Sequence, residues 1–157
     1  MNLVRADLHI HTCLSPCADL EMSPKNIVKK AIEKNLDMIA ITDHNSVANF
    51  LAIEKLAENQ LTVLPGMEIT TSEEVHILGI FPDFERAETM QKIVYENLHG
   101  KNEPAVFGEQ IIVDADGYVD YCDRFLLGAT TMTTDEIVYE IHENDGLAIA
   151  AHIDREA

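Results

Sequence analysis

Near the N-terminus, a short apolar lead is followed by the residues Asp7-Leu8-His9-Ile10-His11-Thr12. We expect this stretch to end a first β-strand, in which residues two apart point to the same face. His9 and His11 then direct two imidazole rings into one space, with Leu8 and Ile10 on the other side. Two converging neutral imidazoles are half of a transition-metal site. Plain strand histidines also fit a lone His-x-His pattern, so its meaning depends on the rest of the chain.

The length and charge of the chain narrow its class. Its 157 residues are enough for one hydrophobic core, and we expect a single domain over residues 1–157. The formal net charge of −17 repels nucleic acid and anionic membranes at long range. We therefore expect no membrane partner and no long nucleic acid. A small anionic substrate stays compatible with this charge, because bound cations dominate the field close to them.

The cysteines and the N-terminus indicate the compartment. The chain has three cysteines, Cys13, Cys17 and Cys122, without the pattern of a disulfide framework. We expect them to be reduced thiols in a cytoplasmic protein. The N-terminal residues do not resemble a signal peptide, and no apolar run approaches the roughly 18 residues that a membrane helix needs.

Apolar runs alternate with amphipathic stretches and predict an α/β fold with a mostly parallel sheet. After the first strand, we expect strands at 36–41, 61–64, 75–80 and 147–151, the one at 61–64 broken by Pro65-Gly66. Helices are predicted from Ser23-Pro24, from Ser46 to about Glu58, from about Glu85 to Leu98, and after the capping box of Thr133 and Glu136. An irregular insertion at about 99–128 contains Asp116-Gly117, which predicts a two-residue hairpin turn.

Further metal-binding residue types accompany the later strands. His44, Glu68 and His152 each lie near the carboxyl end of a predicted strand, where sites gather in α/β sheets. His76 comes early in its strand and fits this location less well. Histidines scattered through a core would not be expected at one common edge, so these positions together predict a metal site.

These motifs together resemble the PHP domain, the polymerase and histidinol phosphatase family of metal-dependent phosphoesterases. The matching stretches are Asp7–Thr12, Ile41–Asn45, Pro65–Ile69, Val75–Gly79 and Ala151-His152, in the order of the family. The resemblance implies a distorted (β/α) barrel with two or three divalent metals at the carboxyl ends of the strands. Carried over by motif, the ligands are His9, His11, His44, Glu68, His76 and His152, with Glu68 as the bridging carboxylate. So many imidazoles favour Zn, Mn or Fe over Mg or Ca.

Two departures from the family pattern bear on the site. Pro16 stands where many members have an Asp ligand, and its nearest substitutes are Cys17 and Asp19. We predict Asp19 as the ligand, because a carboxylate suits a hydrolytic cation better. The second departure is that the usual late Asp-x-His pair does not occur after His152. We therefore expect the barrel to be incomplete, with the C-terminal part of the usual domain missing.

The resemblance implies a metal-dependent phosphoesterase that hydrolyses a phosphate mono- or diester of a small molecule or short nucleotide through metal-activated water. Asp43 is a candidate for orienting an imidazole through its second nitrogen, and Arg155 for holding the substrate phosphate. The missing late ligand pair leaves open a structural or regulatory metal-binding domain without catalysis. A nuclease or proofreading module is a third alternative, against which the acidic charge argues. Substrate and oligomeric state do not follow from the sequence.

Overall fold

A curled sheet forms the centre of the computed structural model, which describes residues 3–154. The strands in that range are β1 Ala6–Ile10, β2 Met38–Ile41, β3 Thr62–Thr70, β4 His76–Ile80, β5 Ile111–Val113, β6 Val119–Tyr121 and β7 Leu147–Ala150. Five of them form one sheet in the order β1-β2-β3-β4-β7, and β5 pairs with β6 in a separate hairpin. The sheet curls into half a barrel, which confirms the expected α/β fold with an incomplete barrel.

The helices pack on the sheet and enclose the core. They are α1 Pro24–Glu33, α2 Phe50–Ala57, α3 Phe84–Asn97, α4 Pro104–Phe107 and α5 Thr134–Glu143. Apolar residues spaced three or four apart place one face of each long helix in the core, including Ile27, Ile53, Met90, Ile137 and Ile141. The capping box of Thr133 and Glu136 is present and fixes the start of α5. In the described range no helix is long and apolar enough to cross a membrane.

The prediction that Ser46 caps the second helix is wrong. Helix α2 begins at Phe50, after the cap residue Asn49. The hydroxyl of Ser46 donates instead to the side-chain oxygen of Gln91 on α3, 2.9 Å away, and the amide of Val47 donates to the same atom at 2.8 Å. Ser46 therefore ties the loop after β2 to α3 rather than starting a helix.

The predicted break at Pro65-Gly66 is also wrong, because β3 runs through both residues. Residues Thr62–Pro65 pair with β2, whereas Gly66–Thr70 pair with β4. Pro65 lacks only an N–H, and its carbonyl still accepts from Phe81, 2.8 Å away. The close approach of β3 to β4 requires a glycine at position 66, because a Cβ there would lie 2.7 Å from the carbonyl oxygen of Gly79. The two residues mark the place where β3 changes partner.

The sheet is mixed rather than mostly parallel. Strands β1, β2 and β3 pair in parallel, but β4 is antiparallel to both β3 and β7. Residues 71–75, which join β3 to β4, are too few for the crossover that a parallel neighbour requires. An apolar strand such as β7 is typical of a buried position, but Leu147 is 65% exposed and Ile149 is 40% exposed. The reason is that β7 lies at an edge of the sheet, with β4 as its partner.

The predicted insertion contains α4 and the hairpin of β5 and β6. The hairpin turn is one residue longer than expected. Asp114 donates its amide to the carbonyl of Tyr118, so three residues, Ala115, Asp116 and Gly117, form the loop. Gly117 has a φ of 86°, the left-handed conformation that a three-residue loop requires.

Candidate metal centre

Five of the histidines lie together with Glu68 at one end of the sheet, where the parallel strands finish. His11 follows the end of β1, Glu68 lies near the end of β3, and His152 comes two residues after β7. His44 follows β2, where it continues the parallel pairing and bridges to Glu68. His76 is the first residue of β4. From the sequence alone, that position fits less well with a site at the carboxyl ends of strands. Because β4 runs antiparallel, its first residue pairs with Thr70 and lies at the same end.

The carboxylate of Glu68 is the centre of the cluster. Its side chain is 2% exposed, and its two oxygens face different histidines. Oε2 lies 2.9 Å from His11 Nε2, 3.3 Å from His9 Nε2 and 3.7 Å from His44 Nδ1. Oε1 lies 2.9 Å from His152 Nε2 and 3.0 Å from His76 Nδ1. One buried carboxylate therefore joins two groups of imidazoles.

Nitrogen atoms in this cluster also face one another. The Nε2 atoms of His9 and His11 are 3.1 Å apart, and His76 Nδ1 is 3.2 Å from His152 Nε2. Among residues 3–154, the buried Nδ1 of His44 has no hydrogen-bond partner. Two ligand atoms about 2.0–2.2 Å from one cation lie about 3 Å apart, which matches these contacts. Imidazole and carboxylate are ligands of divalent transition metals, so the residues fit such a cation.

Local electrostatics favour the protonation states that bind cations. Burial alone raises the pKa of Glu68, but hydrogen bonds from His11 and His9 and the nearby histidine charges outweigh it and hold that pKa far below its usual range. Burial lowers the pKa of His44 to about 4, and the charge of His11 adds to this effect. The hydrogen bond that His9 donates to Glu68 raises the pKa of His9, against the opposing effect of burial. An ionised Glu68 and a neutral His44 are the forms that coordinate metals.

The carboxylate of Asp43 contacts Thr12 and Ser15 rather than an imidazole ring. The buried Asp43 carboxylate accepts from the amide and hydroxyl of Thr12 and from the Ser15 hydroxyl, each at 2.7 Å. Burial raises the pKa of Asp43, and the Ser15 and Thr12 hydrogen bonds oppose that rise. Asp43 is fully buried, so it does not contact a substrate as a catalytic residue would. The hypothesis that it orients a ring directly is therefore corrected.

Ser15 is the positioning residue that sequence reasoning missed. Its hydroxyl proton goes to Asp43, so at the 3.1 Å contact between His11 Nδ1 and Ser15 Oγ the nitrogen must be the donor. The amide of His44 donates to the same oxygen at 3.0 Å. Ser15 thus fixes the ring of His11 with its Nε2 turned toward Glu68, 2.9 Å from Oε2. A serine four residues after a ligand has no sequence signal of its own.

The structure brings together six of the seven predicted ligands. They are His9, His11, His44, Glu68, His76 and His152, which share the contacts given above. Asp19 is not among the groups of potential ligand atoms in the described range, and its carboxylate accepts from the amide of Glu21 at 2.8 Å. Cys17 joins one of those groups with His11 and His44. Arg155, predicted to hold phosphate, lies outside the described residues.

Comparison with known proteins assigns the family. The pattern that defines the PHP domain matches residues 7–154. The chain belongs to the PHP domain family. This PHP chain is 38% identical over 87 residues to an uncharacterized protein of Methanocaldococcus jannaschii, which covers 50% of each. It is 26% identical to the 5'-3' exoribonuclease Rnm of Salmonella typhimurium, over 93% of this chain and 64% of that protein.

Solved structures share the PHP fold. A crystal structure from Bifidobacterium adolescentis, described as that of a candidate metal-dependent phosphoesterase, matches with a TM-score of 0.63. The two sequences are 19% identical, and the match covers 96% of this chain and 68% of that one. At such identity the likeness shows the fold alone. The PHP chain spans between half and about two thirds of the length of the two curated relatives described above.

Proposed function

We propose that this PHP chain is a metal-dependent phosphoesterase that hydrolyses a phosphate mono- or diester of a small molecule or short nucleotide. The observation that carries the proposal is the position of Glu68 between two groups of imidazoles. Such a carboxylate can bridge two cations, and the donor set suits two or three ions of Zn, Mn or Fe. When bound, the cations supply neutralisation of phosphate charge and activation of water.

The residues of the chain prepare the site for this chemistry. Ser15 engages Nδ1 of His11 and leaves Nε2 as the ring nitrogen that faces Glu68, and the lowered pKa of His44 keeps the His44 ring neutral. The side chains of His9, His76 and His152 are 31%, 28% and 36% exposed, whereas that of Glu68 is 2% exposed. A substrate therefore reaches the cluster from the side of the three partly exposed histidines, and the carboxylate stays below them.

The charge of the protein favours a small substrate. The formal net charge of −17 opposes an extended nucleic acid backbone at long range. It acts less strongly on a substrate with one or two phosphate groups, because fewer charges approach the protein and cations at the site offset them. A mononucleotide, a short oligonucleotide or a phosphorylated metabolite fits these conditions.

Metal-loaded protein tests the proposal. We would supply Mn²⁺, Zn²⁺ or Fe²⁺ and measure hydrolysis of p-nitrophenyl phosphate, its bis-ester and a panel of mononucleotides. Glu68→Gln keeps the shape of the side chain but removes its charge, and should abolish turnover. Glu96→Gln changes an exposed residue on α3 and should leave turnover intact. Metal bound by the wild-type protein without hydrolysis of any ester would support a structural or regulatory metal domain instead.

A nuclease that shortens RNA ends is the second candidate. The observation in its favour is the similarity to an exoribonuclease over 93% of this chain. End-labelled oligoribonucleotides of increasing length distinguish the two candidates. A rate that rises with length up to many nucleotides favours a nuclease, whereas a rate that is highest for mono- and dinucleotides favours the small-molecule phosphoesterase.

A further inference from the structure

Cys17 lies beside the cluster, in the loop between β1 and α1. Its Sγ, a ring nitrogen of His11 and a ring nitrogen of His44 all lie within 4.8 Å of one another. The side chain of Pro16, which precedes Cys17, has no atom that can bind a metal. The carboxylate of Asp19 accepts a hydrogen bond from the amide of Glu21. Turns at residues 12–15 and 15–18, closed by amide-to-carbonyl bonds of 3.0 and 2.8 Å, set the path of this loop. Cys17 is therefore the potential metal ligand that this loop places near the two histidines.

His44 gives a second and independent indication of a ligand here. Its side chain is 8% exposed, and the buried Nδ1 has no hydrogen-bond partner within the described part of the chain. A buried polar atom without a partner destabilises the folded protein unless something binds it. A cation among the carboxylate, the imidazoles and the thiol would remove this destabilisation.

The other two cysteines have different surroundings. Cys13 is buried, and its thiol contacts the carbonyl of Ile111 at 3.8 Å and the amide nitrogen of Asn49 at 3.9 Å. Cys122 is half-buried and follows the hairpin strand β6. In the part of the chain that the structure describes, neither belongs to a group of potential ligands. They are matched controls for Cys17.

We propose that Cys17 binds a metal ion as a thiolate together with His11 and His44, in the place where we had predicted Asp19. The thiol loses its proton to solvent as the metal–sulfur bond forms. One soft sulfur ligand shifts the preference of this position toward Zn²⁺, Co²⁺ or Fe²⁺ and away from Mn²⁺ and Mg²⁺. The inference rests on the metal centre of the proposed function, but not on its catalytic activity.

Cobalt substitution tests the sulfur ligand directly. Thiolate bound to Co²⁺ gives a charge-transfer band in the near ultraviolet, which nitrogen and oxygen ligands do not produce. Wild-type protein saturated with Co²⁺ should show this band, and Cys17→Ser should lose it. Cys122→Ser and Asp19→Asn should keep it at full intensity. X-ray absorption of the zinc form should show a sulfur neighbour at about 2.3 Å that is absent in Cys17→Ser.

The outcomes separate this inference from the proposed function. Absence of the band in wild-type protein at excess Co²⁺, or its persistence in Cys17→Ser, overturns the assignment of Cys17. Its loss in Asp19→Asn would restore Asp19 to the site and also count against the assignment. A wild-type protein that shows the band but hydrolyses no ester keeps Cys17 as a ligand and refutes the phosphoesterase. Cys17→Asp should retain the metal while its preference for Zn²⁺ over Mn²⁺ falls.

Discussion

At the scale of single residues, Ser15 is the group on which the orientation of His11 depends. Its oxygen accepts from His11 and from the His44 amide while its proton goes to Asp43. Ser15→Ala removes all three contacts, so we expect metal affinity to fall by about 10- to 100-fold, as for other residues that orient metal ligands. Competition with a chromogenic chelator measures the change. Ser72→Ala, at an exposed loop serine, should bind as the wild type does.

Asp43 permits a prediction about stability. The hydroxyl of Thr12 donates to Asp43, and the same oxygen accepts from the Leu14 amide and from Asn49 Nδ2. In Asp43→Asn a new amide group would face that hydroxyl, which has no lone pair left to accept it. We expect the free energy of unfolding to fall by about 2 kcal/mol, from this unpaired donor in the interior.

Chemical denaturation measures that loss. Asp19→Asn is the matched control, since its side-chain oxygen can still accept from the amide of Glu21. A wild-type midpoint for Asp43→Asn would show that the network rearranges freely and that Asp43 does not hold the loop.

Sequence reasoning predicted most of the residues that the structure brings together around Glu68. Histidine and glutamate at strand ends predicted His9, His44 and Glu68, because few other roles require those residue types in those places. It missed Ser15, since a serine in a loop has many roles. It chose Asp19 over Cys17 on chemical preference alone, whereas the path of the loop, which depends on three-dimensional contacts, brings Cys17 near His11 and His44.

At the scale of elements, Asn49 joins the inserted hairpin to the first metal-binding loop. Its Nδ2 donates to Thr12 Oγ1 at 2.8 Å and to the Ile111 carbonyl at 3.1 Å, and its Oδ1 accepts from Val113 N at 2.8 Å. Asn49→Ala removes all three hydrogen bonds and leaves the part-buried Val113 amide without its acceptor, and we expect a loss of about 2–3 kcal/mol of stability. Amide exchange at Val113 should accelerate more than exchange in α1. Asn26→Ala, at an exposed position of α1, should change neither.

The change of partner in β3 gives a second prediction at this scale. A methyl group at Gly66 would lie 2.7 Å from the Gly79 carbonyl and would push β3 and β4 apart. Gly66→Ala should therefore cost about 1–3 kcal/mol of stability by overpacking. Metal affinity should fall as well, because Glu68 on β3 and His76 on β4 would separate. Thermal denaturation and chelator competition test both effects, and a variant with unchanged values would show that the strands tolerate the methyl group.

Element directions were harder to predict than element locations. Periodicity placed β4 and α3 nearly as observed, because apolar spacing is a local property. Whether β4 runs parallel or antiparallel depends on its partner, and the exposure of β7 depends on its place at an edge. Both are properties of the assembled sheet. The turn after Val113 differed by one residue because a three-residue loop also places Gly117 at positive φ.

At the scale of the whole molecule, metal should act as a stabilising ligand of a strongly acidic protein. A ligand at a thousandfold excess over its Kd contributes about 4 kcal/mol of stability. For a chain of this length that corresponds to a rise in Tm of about 10 °C. We expect Zn²⁺ to raise the Tm of EDTA-treated protein by this order. Ca²⁺ at equal concentration supplies the same charge and should do much less, as should Zn²⁺ added to Glu68→Gln. Equal shifts from both ions would indicate simple charge screening.

The change of partner in β3 also bears on the order in which the metal centre assembles. His9, His11 and His44 all precede Glu68 in the chain, and the strands before them pair through β2 to β3. His152 follows Glu68 by 84 residues and reaches its Oε1 only when β7 has docked on β4. A chain grows from its N-terminus, and distant segments meet later than near ones. We therefore expect the Oε2 side of the centre to close first during synthesis, and His152 to join His76 on the Oε1 side only when β7 has docked.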